Sequence, residues 1–146
     1  MRVALPFDGS PSAIHALDYV IGLAARIDKE PVKVDLINVQ EAAVGIPESF
    51  ARDAADVASK IATACREAGT RLLTGPTNAL ERASVPKDSA VLIGDPANVI
   101  ASYVENNRCD AVVMGTRGLG GLAGFVLGSV ATKVIHLVKV PVTLVK

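Results

Sequence analysis

A glycine ladder near the C-terminal end constrains this chain more than any other feature. It runs Met114-Gly115-Thr116-Arg117-Gly118, and nine residues later Gly128-Ser129. The apolar run Ala111-Val112-Val113-Met114 directly before it reads as a buried strand. The apolar-periodic segment that opens after Ser129 reads as a helix. Strand, glycine loop and helix N-terminus in that order make an anion site. Glycines let backbone N–H groups approach a phosphate, and the helix dipole favours negative charge there. The arrangement points to a bound nucleotide.

The rest of the chain suits a compact carrier for such a site. A length of 146 residues reads as one domain, 1–146, large enough for a real core. Half of the residues are hydrophobic and 21% are charged, which excludes a disordered chain. Aromatics make up only 3%, too few for stacking single-stranded nucleic acid, and the formal net charge of zero argues against a grip on DNA or on an anionic membrane. No apolar stretch approaches the length of a membrane span. Cys65 and Cys109 fit no metal-ligand spacing, and with no signal peptide visible they read as reduced core thiols of a cytoplasmic protein.

Arg2 to Phe7 reads as a first buried strand. Asp8-Gly9 makes a turn, Ser10 is a good N-cap, and Pro11 suits the first helical position. Ile14, Leu17, Val20, Ile21, Ala24 and Ile27 trace the helix, which Asp28 to Pro31 ends. Val32 to Val39 is a second strand, with Lys33 and Asp35 alternating against Val32, Val34 and Leu36, and Gln40 to Pro47 is a loop. Phe50, Ala54, Val57, Ile61, Ala64 and Ala68 trace a second helix, and Gly69 sits where a C-cap glycine belongs. Thr70 to Ser89 is the least legible stretch, with a short strand suggested at Arg71 to Thr74. Ser89 to Ile93 is a strand, and Gly94-Asp95-Pro96 repeats the cap logic before a helix with Val99, Ile100, Tyr103 and Val104 on its core side. Asp110 to Met114, Ser129 to Val138 and Pro141 to Val145 complete an alternating order of strands and helices.

Such alternation with apolar strands predicts an α/β fold, an open doubly wound sheet of five parallel strands with helices on both faces. Ligands in such sheets sit beyond the carboxyl ends of the strands, where the strand order reverses. If the first and fourth strands are neighbours, the Asp8 turn and the Gly115 loop face one another across a single crevice.

The ladder lacks the lysine of a Walker A loop, and a Rossmann fingerprint fails because Ala123 takes its third glycine position. The chain instead resembles the ATP-binding universal stress proteins. Gly115, Gly118, Gly128 and Ser129 match that family's G-x2-G-x9-G-[S/T] pattern, Pro6-Phe7-Asp8-Gly9-Ser10 its first turn, Asn38-Val39 its second-strand end, Gly94-Asp95-Pro96 its third-helix start, and Pro141-Val142-Thr143-Leu144-Val145 its last strand. Two departures stand out. The path from Gly69 to Gly94 is longer than the family pattern, with room for an extra loop or short helix near Thr77 to Ala83. Asn38 replaces a common histidine at a position expected to contribute mainly backbone.

The resemblance implies adenine against Val39, ribose and a phosphate-bound metal near Pro6, Phe7 and Asp8, and a floor of Met114 and Gly115. It also implies that Arg117 and Gly118 meet ribose or phosphates, and that Gly128, Ser129 and Val130 cradle the phosphate chain. The implied cofactors are ATP (or AMP or ADP) and Mg²⁺, with Asp8 as the metal ligand. The implied assembly is a homodimer through the last strand, Val140 to Val145.

Blander readings compete. A glycine cluster also serves a plain loop, Asp8 a plain turn, and Arg117 a solvated surface. His15 and His136 read as structural or solvent-facing, and Leu122, Phe125, Val126 and Leu127 as a ligand cover or a subunit contact. The expected function is a nucleotide-dependent regulator of stress adaptation with at most slow ATP hydrolysis. The alternatives are an adenylating or ATP-pyrophosphatase-like enzyme, or a nucleotide-free dimeric scaffold.

Overall fold

The computed structural model describes residues 1–27, 31–41, 54–118 and 127–146. Among the described residues five strands and four helices alternate. They are β1 (Arg2–Pro6), α1 (Pro11–Ala24), β2 (Lys33–Gln40), α2 (Ala54–Arg82), β3 (Lys87–Ile93), α3 (Pro96–Asn106), β4 (Ala111–Gly115), α4 (Ser129–Leu137) and β5 (Val142–Val145). All strand pairs are parallel, in the order β3-β2-β1-β4-β5. The order reverses between β1 and β4, where Val3 faces Ala111 and Ala4 faces Val112. The doubly wound sheet is therefore as expected, and the two turns do share one end of the sheet.

Successive strand residues point to opposite faces, so each strand feeds two cores. Val3, Leu5, Val34 and Leu36 pack under α1 and α2 with Leu17, Val20, Leu73 and Leu80. Ala4, Ile37, Val112 and Met114 pack under α3 and α4 with Ile100, Val104, Ala131 and Val134. The outer strands β3 and β5 have no fully buried residue.

The illegible stretch is helix. The α2 helix runs on through Gly69, through the segment Arg71 to Thr74 expected as a strand, and through Pro76 to Arg82. Gly69 is no C-cap. A Cβ there would come within 2.5 Å of Val91 Cγ1 and 2.7 Å of Asn38 Oδ1, so the glycine lets the helix lie close on the sheet. The true stop is Ser84 in the left-handed region at φ 55°, with Val85 N–H donating to Leu80 O and Ser84 N–H to Glu81 O. That closure usually announces itself by glycine, and a serine hides it. The surplus length before Gly94 is thus helix, and β3 begins at Lys87 rather than Ser89. The Asp28–Glu30 stop, residues 42–47 of the Gln40 loop, Phe50, Leu122, Phe125 and Val126 lie outside the described residues.

At the end of the sheet where the strands begin, Asp35 is fully buried. Arg2 Nε donates to Asp35 Oδ2 at 2.7 Å, and Cys109 Sγ lies 3.6 Å from the same oxygen. Asp110 Oδ2 accepts the Arg2 backbone N–H at 2.6 Å, and Asn107 and Asp88 complete the surroundings of the guanidinium. The hydrogen bond to Asp35 holds Arg2 above its ordinary pKa. Burial first, and then the Asp35 charge, push the Cys109 thiol up to about 11. Cys109 is the buried thiol expected, whereas Cys65 is half-exposed on α2. His15, read as structural or solvent-facing, places Nδ1 2.6 Å from Lys146 O.

Candidate functional site

At the opposite end of the sheet β1, β2 and β4 stop around a cavity of about 680 Å³, well within the range of small-molecule pockets. Its wall includes all eleven residues singled out from the sequence: Pro6, Phe7 and Asp8 after β1, Val39 on β2, Met114, Gly115, Arg117 and Gly118 at the end of β4, and Gly128, Ser129 and Val130 at the start of α4. The cavity has two chemically different halves.

One half is apolar, with Pro6, Ile37, Val39, Pro96, Ile100 and Met114 on its wall. Ile37 O accepts the Phe7 N–H at 2.8 Å, and the β1–β2 register ends at Pro6 and Ile37. In a parallel ladder alternate residues direct both backbone groups to the same side. Val39 therefore turns its N–H and C=O to the side where β1 has ended. The next residue faces away, since Gln40 O accepts from Gly94 N–H. A donor–acceptor pair beside an apolar surface is the edge-and-face chemistry of a heterocyclic base.

Asn38 does more than supply backbone. Its side chain is buried, with Nδ2 donating to Phe7 O at 2.9 Å and Oδ1 accepting from Gln40 Nε2 at 2.7 Å. The amide thus extends the β1–β2 ladder one step beyond the point where β1 departs. Asn38, Gln40, Leu72 and Thr116 line the cavity without having been singled out. Leu72 was hidden because it lies on the illegible part of α2. Thr116 stands inside the glycine motif, and its buried Oγ1 has no hydrogen-bond partner among the described residues.

The other half is built from helix N-termini. Three of them have described caps, and two are closed by the protein itself. Ser10 Oγ accepts from Ala13 N–H in α1, and Asp95 Oδ1 accepts from Asn98 N–H at 3.0 Å in α3. The N-cap of α4 is Gly128, with no side-chain cap. The first N–H groups of a helix have no acceptor within it. Those of Ser129, Val130 and Ala131 therefore lie at the cavity without a capping side chain, at the positive end of the helix dipole.

The glycines around this terminus mark close approaches. A Cβ on Gly128 would lie 3.2 Å from Thr116 O, and one on Gly118 would lie 2.7 Å from Asp8 Oδ2. A Cβ on Gly115 would lie 2.5 Å from Ser12 Oγ, so that glycine first serves the seating of β4 on α1. Asp8 Oδ1 accepts the Ser10 N–H at 3.0 Å, which aims the carboxylate across the first turn toward Gly118.

A parallel doubly wound domain with its crevice at the strand-order reversal defines a class of small-ligand binders. Within that class, the model of the universal stress protein family matches residues 1–146, and the chain belongs to this family. It is 32% identical over 145 residues to universal stress protein MJ0531 of Methanocaldococcus jannaschii, covering 99% of this chain and 81% of that one. The solved structure of hypothetical protein MJ0577 superposes with a TM-score of 0.80 at 22% identity, covering 99% of this chain and 94% of the other. A universal stress protein family protein from Arabidopsis thaliana, At3g01520, solved with AMP bound, gives a TM-score of 0.69 at 23% identity, covering 100% and 91%. At these identities the two structures speak for the fold. Among the described residues no helix is long and apolar enough to cross a membrane.

Proposed function

We propose that this protein is an ATP-binding universal stress protein, a nucleotide-dependent regulator of stress adaptation in the cytoplasm. The observation that carries the proposal is the uncapped N-terminus of α4, which meets the Asp8 turn and Gly118 across one cavity. Adenine takes the apolar half against Val39, and the triphosphate takes the α4 terminus with Gly118, Gly128, Ser129 and Val130. Met114 and Gly115 form the floor, and Arg117 stands at the ribose–phosphate rim. The AMP found in the Arabidopsis relative supports an adenine nucleotide as the ligand class. ADP and AMP fit the same cradle with fewer contacts.

Asp8 suits Mg²⁺ as a hard oxygen ligand beside phosphate oxygens, and Mg²⁺ typically takes one or two carboxylates, the phosphates and waters. Among the described residues no group of three His, Cys, Asp or Glu side chains forms a cage of its own, which fits a metal that arrives with the nucleotide. Bound Mg²⁺ would neutralise phosphate charge. Asp8 would orient it while remaining tied to the Ser10 N–H. Hydrolysis is at most slow in this reading. The protein pairs as a homodimer through Val140 to Val145, a reading supported by β5 being the outermost strand of the sheet.

Mass spectrometry of small molecules released on denaturing the purified protein tests the reading, together with calorimetry using ATP and Mg²⁺. Expected are an adenine nucleotide in the extract and saturable heat. No nucleotide and no heat would end it.

A further inference from the structure

Two hydroxyls of the first helical turn converge on one carbonyl of the glycine loop. Ser12 Oγ donates to Arg117 O in a short hydrogen bond, and Ser10 Oγ donates to the same oxygen at 3.1 Å. Arg117 N–H returns to Ser12 Oγ at 3.4 Å, and the two hydroxyls are 3.4 Å apart. Both serines are buried. Ser12 is not needed as a cap, because Ser10 already closes α1.

The consequence follows from peptide geometry. No peptide bond in the described chain is cis, and in a trans peptide the C=O and the next N–H point in opposite directions. Holding Arg117 O against α1 therefore turns the Gly118 N–H away from α1. The start of α4 is close to this peptide: Gly118 N is 3.8 Å from the position a Cβ on Gly128 would occupy. We propose that Ser12 is a positioning residue of the phosphate site, its hydroxyl fixing the Arg117–Gly118 peptide so that the Gly118 amide joins the open N-terminus of α4. The same contact places a carbonyl dipole at the N-terminus of α1, where it is favourable. With the Ser10 hydroxyl and the Asp8 carboxylate also there, the α1 terminus is taken up by the protein and the α4 terminus is left for the anion.

This inference rests on the nucleotide reading, and its test separates the two. ATP and adenosine affinities are measured for wild type, Ser12→Ala and Ser12→Thr. The {¹H}–¹⁵N heteronuclear NOE of the Gly118 amide is measured in the ligand-free proteins. Loss of one buried hydroxyl contact predicts ATP affinity about three- to tenfold weaker in Ser12→Ala. Adenosine affinity stays within about twofold, because the base half is untouched. Ser12→Thr keeps a hydroxyl and recovers the ATP affinity, and the Gly118 NOE falls only in Ser12→Ala. Unchanged ATP affinity in Ser12→Ala would overturn the proposal, and so would a parallel loss of ATP and adenosine. A wild-type protein that binds neither ligand defeats the nucleotide reading instead. The Gly118 NOE then decides the role of Ser12 alone.

Discussion

The two ends of the sheet handle polar groups in opposite ways. Where the strands begin, charged side chains pair with one another, although the buried Asp35 Oδ1 has no hydrogen-bond partner among the described residues. Arg2 reaches Asp35, Asn107 and Asp88, while Asp110 takes the Arg2 N–H. Where the strands end, the main chain is left available. The α4 helix starts without a side-chain cap, and Val39 turns its backbone groups past the end of β1. Ion pairs close one end of the sheet, and the other end leaves backbone groups toward the cavity. One end should therefore respond to mutation in stability and the other in binding.

The largest effect is expected at the closed end. Arg2→Met leaves the Asp35 carboxylate buried without its cation and should cost about 3–5 kcal/mol in urea unfolding. The double variant Arg2→Met/Asp35→Leu should recover most of that loss, because removing both charges leaves neither stranded. Nucleotide affinity should remain at the wild-type level in any variant that folds. A binding defect in a folded Arg2 variant would merge the two ends that the comparison separates.

Gly118→Val comes next and reverses the pattern. Its Cβ would lie 2.7 Å from Asp8 Oδ2 at the mouth, on an exposed loop. ATP affinity measured by calorimetry should fall by at least about 100-fold, roughly 2.7 kcal/mol, with the melting temperature little changed. Gly128→Val, pressed against Thr116 O and Arg117 Cα, should behave alike.

Gly69→Ala links the regions. Alanine is the better helix former by about 1 kcal/mol, so an isolated helix would gain. Here the added methyl meets Val91 and Asn38 Oδ1, and overpacking should turn the gain into a net loss of about 1–2 kcal/mol. If chemical denaturation instead records stabilisation, the close seating of α2 on the sheet is wrong.

The smallest effect is a pH limb. Cys109 titrates at about 11 in the folded protein against 9.0 for a free thiol, so the folded state holds this proton longer. Its contribution is complete below pH 9 and is lost as pH rises from 9 toward 11. Cys109→Ala should flatten that limb of the stability–pH curve relative to wild type, and the folded wild-type thiol should resist alkylation at pH 8.

Local chemistry was legible wherever the signal and its cause sit within a few residues. Asp8-Gly9-Ser10-Pro11 and Gly94-Asp95-Pro96 announced two helix starts, and both caps form the expected hydrogen bonds. The glycine spacing from Gly115 to Gly128 picked out residues that share one cavity. Signals with distant causes misled. Gly69 looked like a helix stop because its reason, the side chains of Asn38 and Val91, lies on other elements. Ser84 stops α2 without the usual glycine, and Pro76 failed to end it. Asp35 stood out only as a polar residue alternating along β2, and its partners Arg2 and Cys109 lie on other parts of the chain.

By itself the sequence determined the alternation of elements, the two cap motifs and the glycine loop at the mouth of the cavity, because hydrophobic period, capping and glycine conformation act over one or two turns of chain. The tertiary structure alone decided that β1 lies beside β4, that α2 runs unbroken across the sheet, and that α1 is closed while α4 is open. Those outcomes depend on which surfaces meet, and contacts between residues a hundred positions apart leave no local mark.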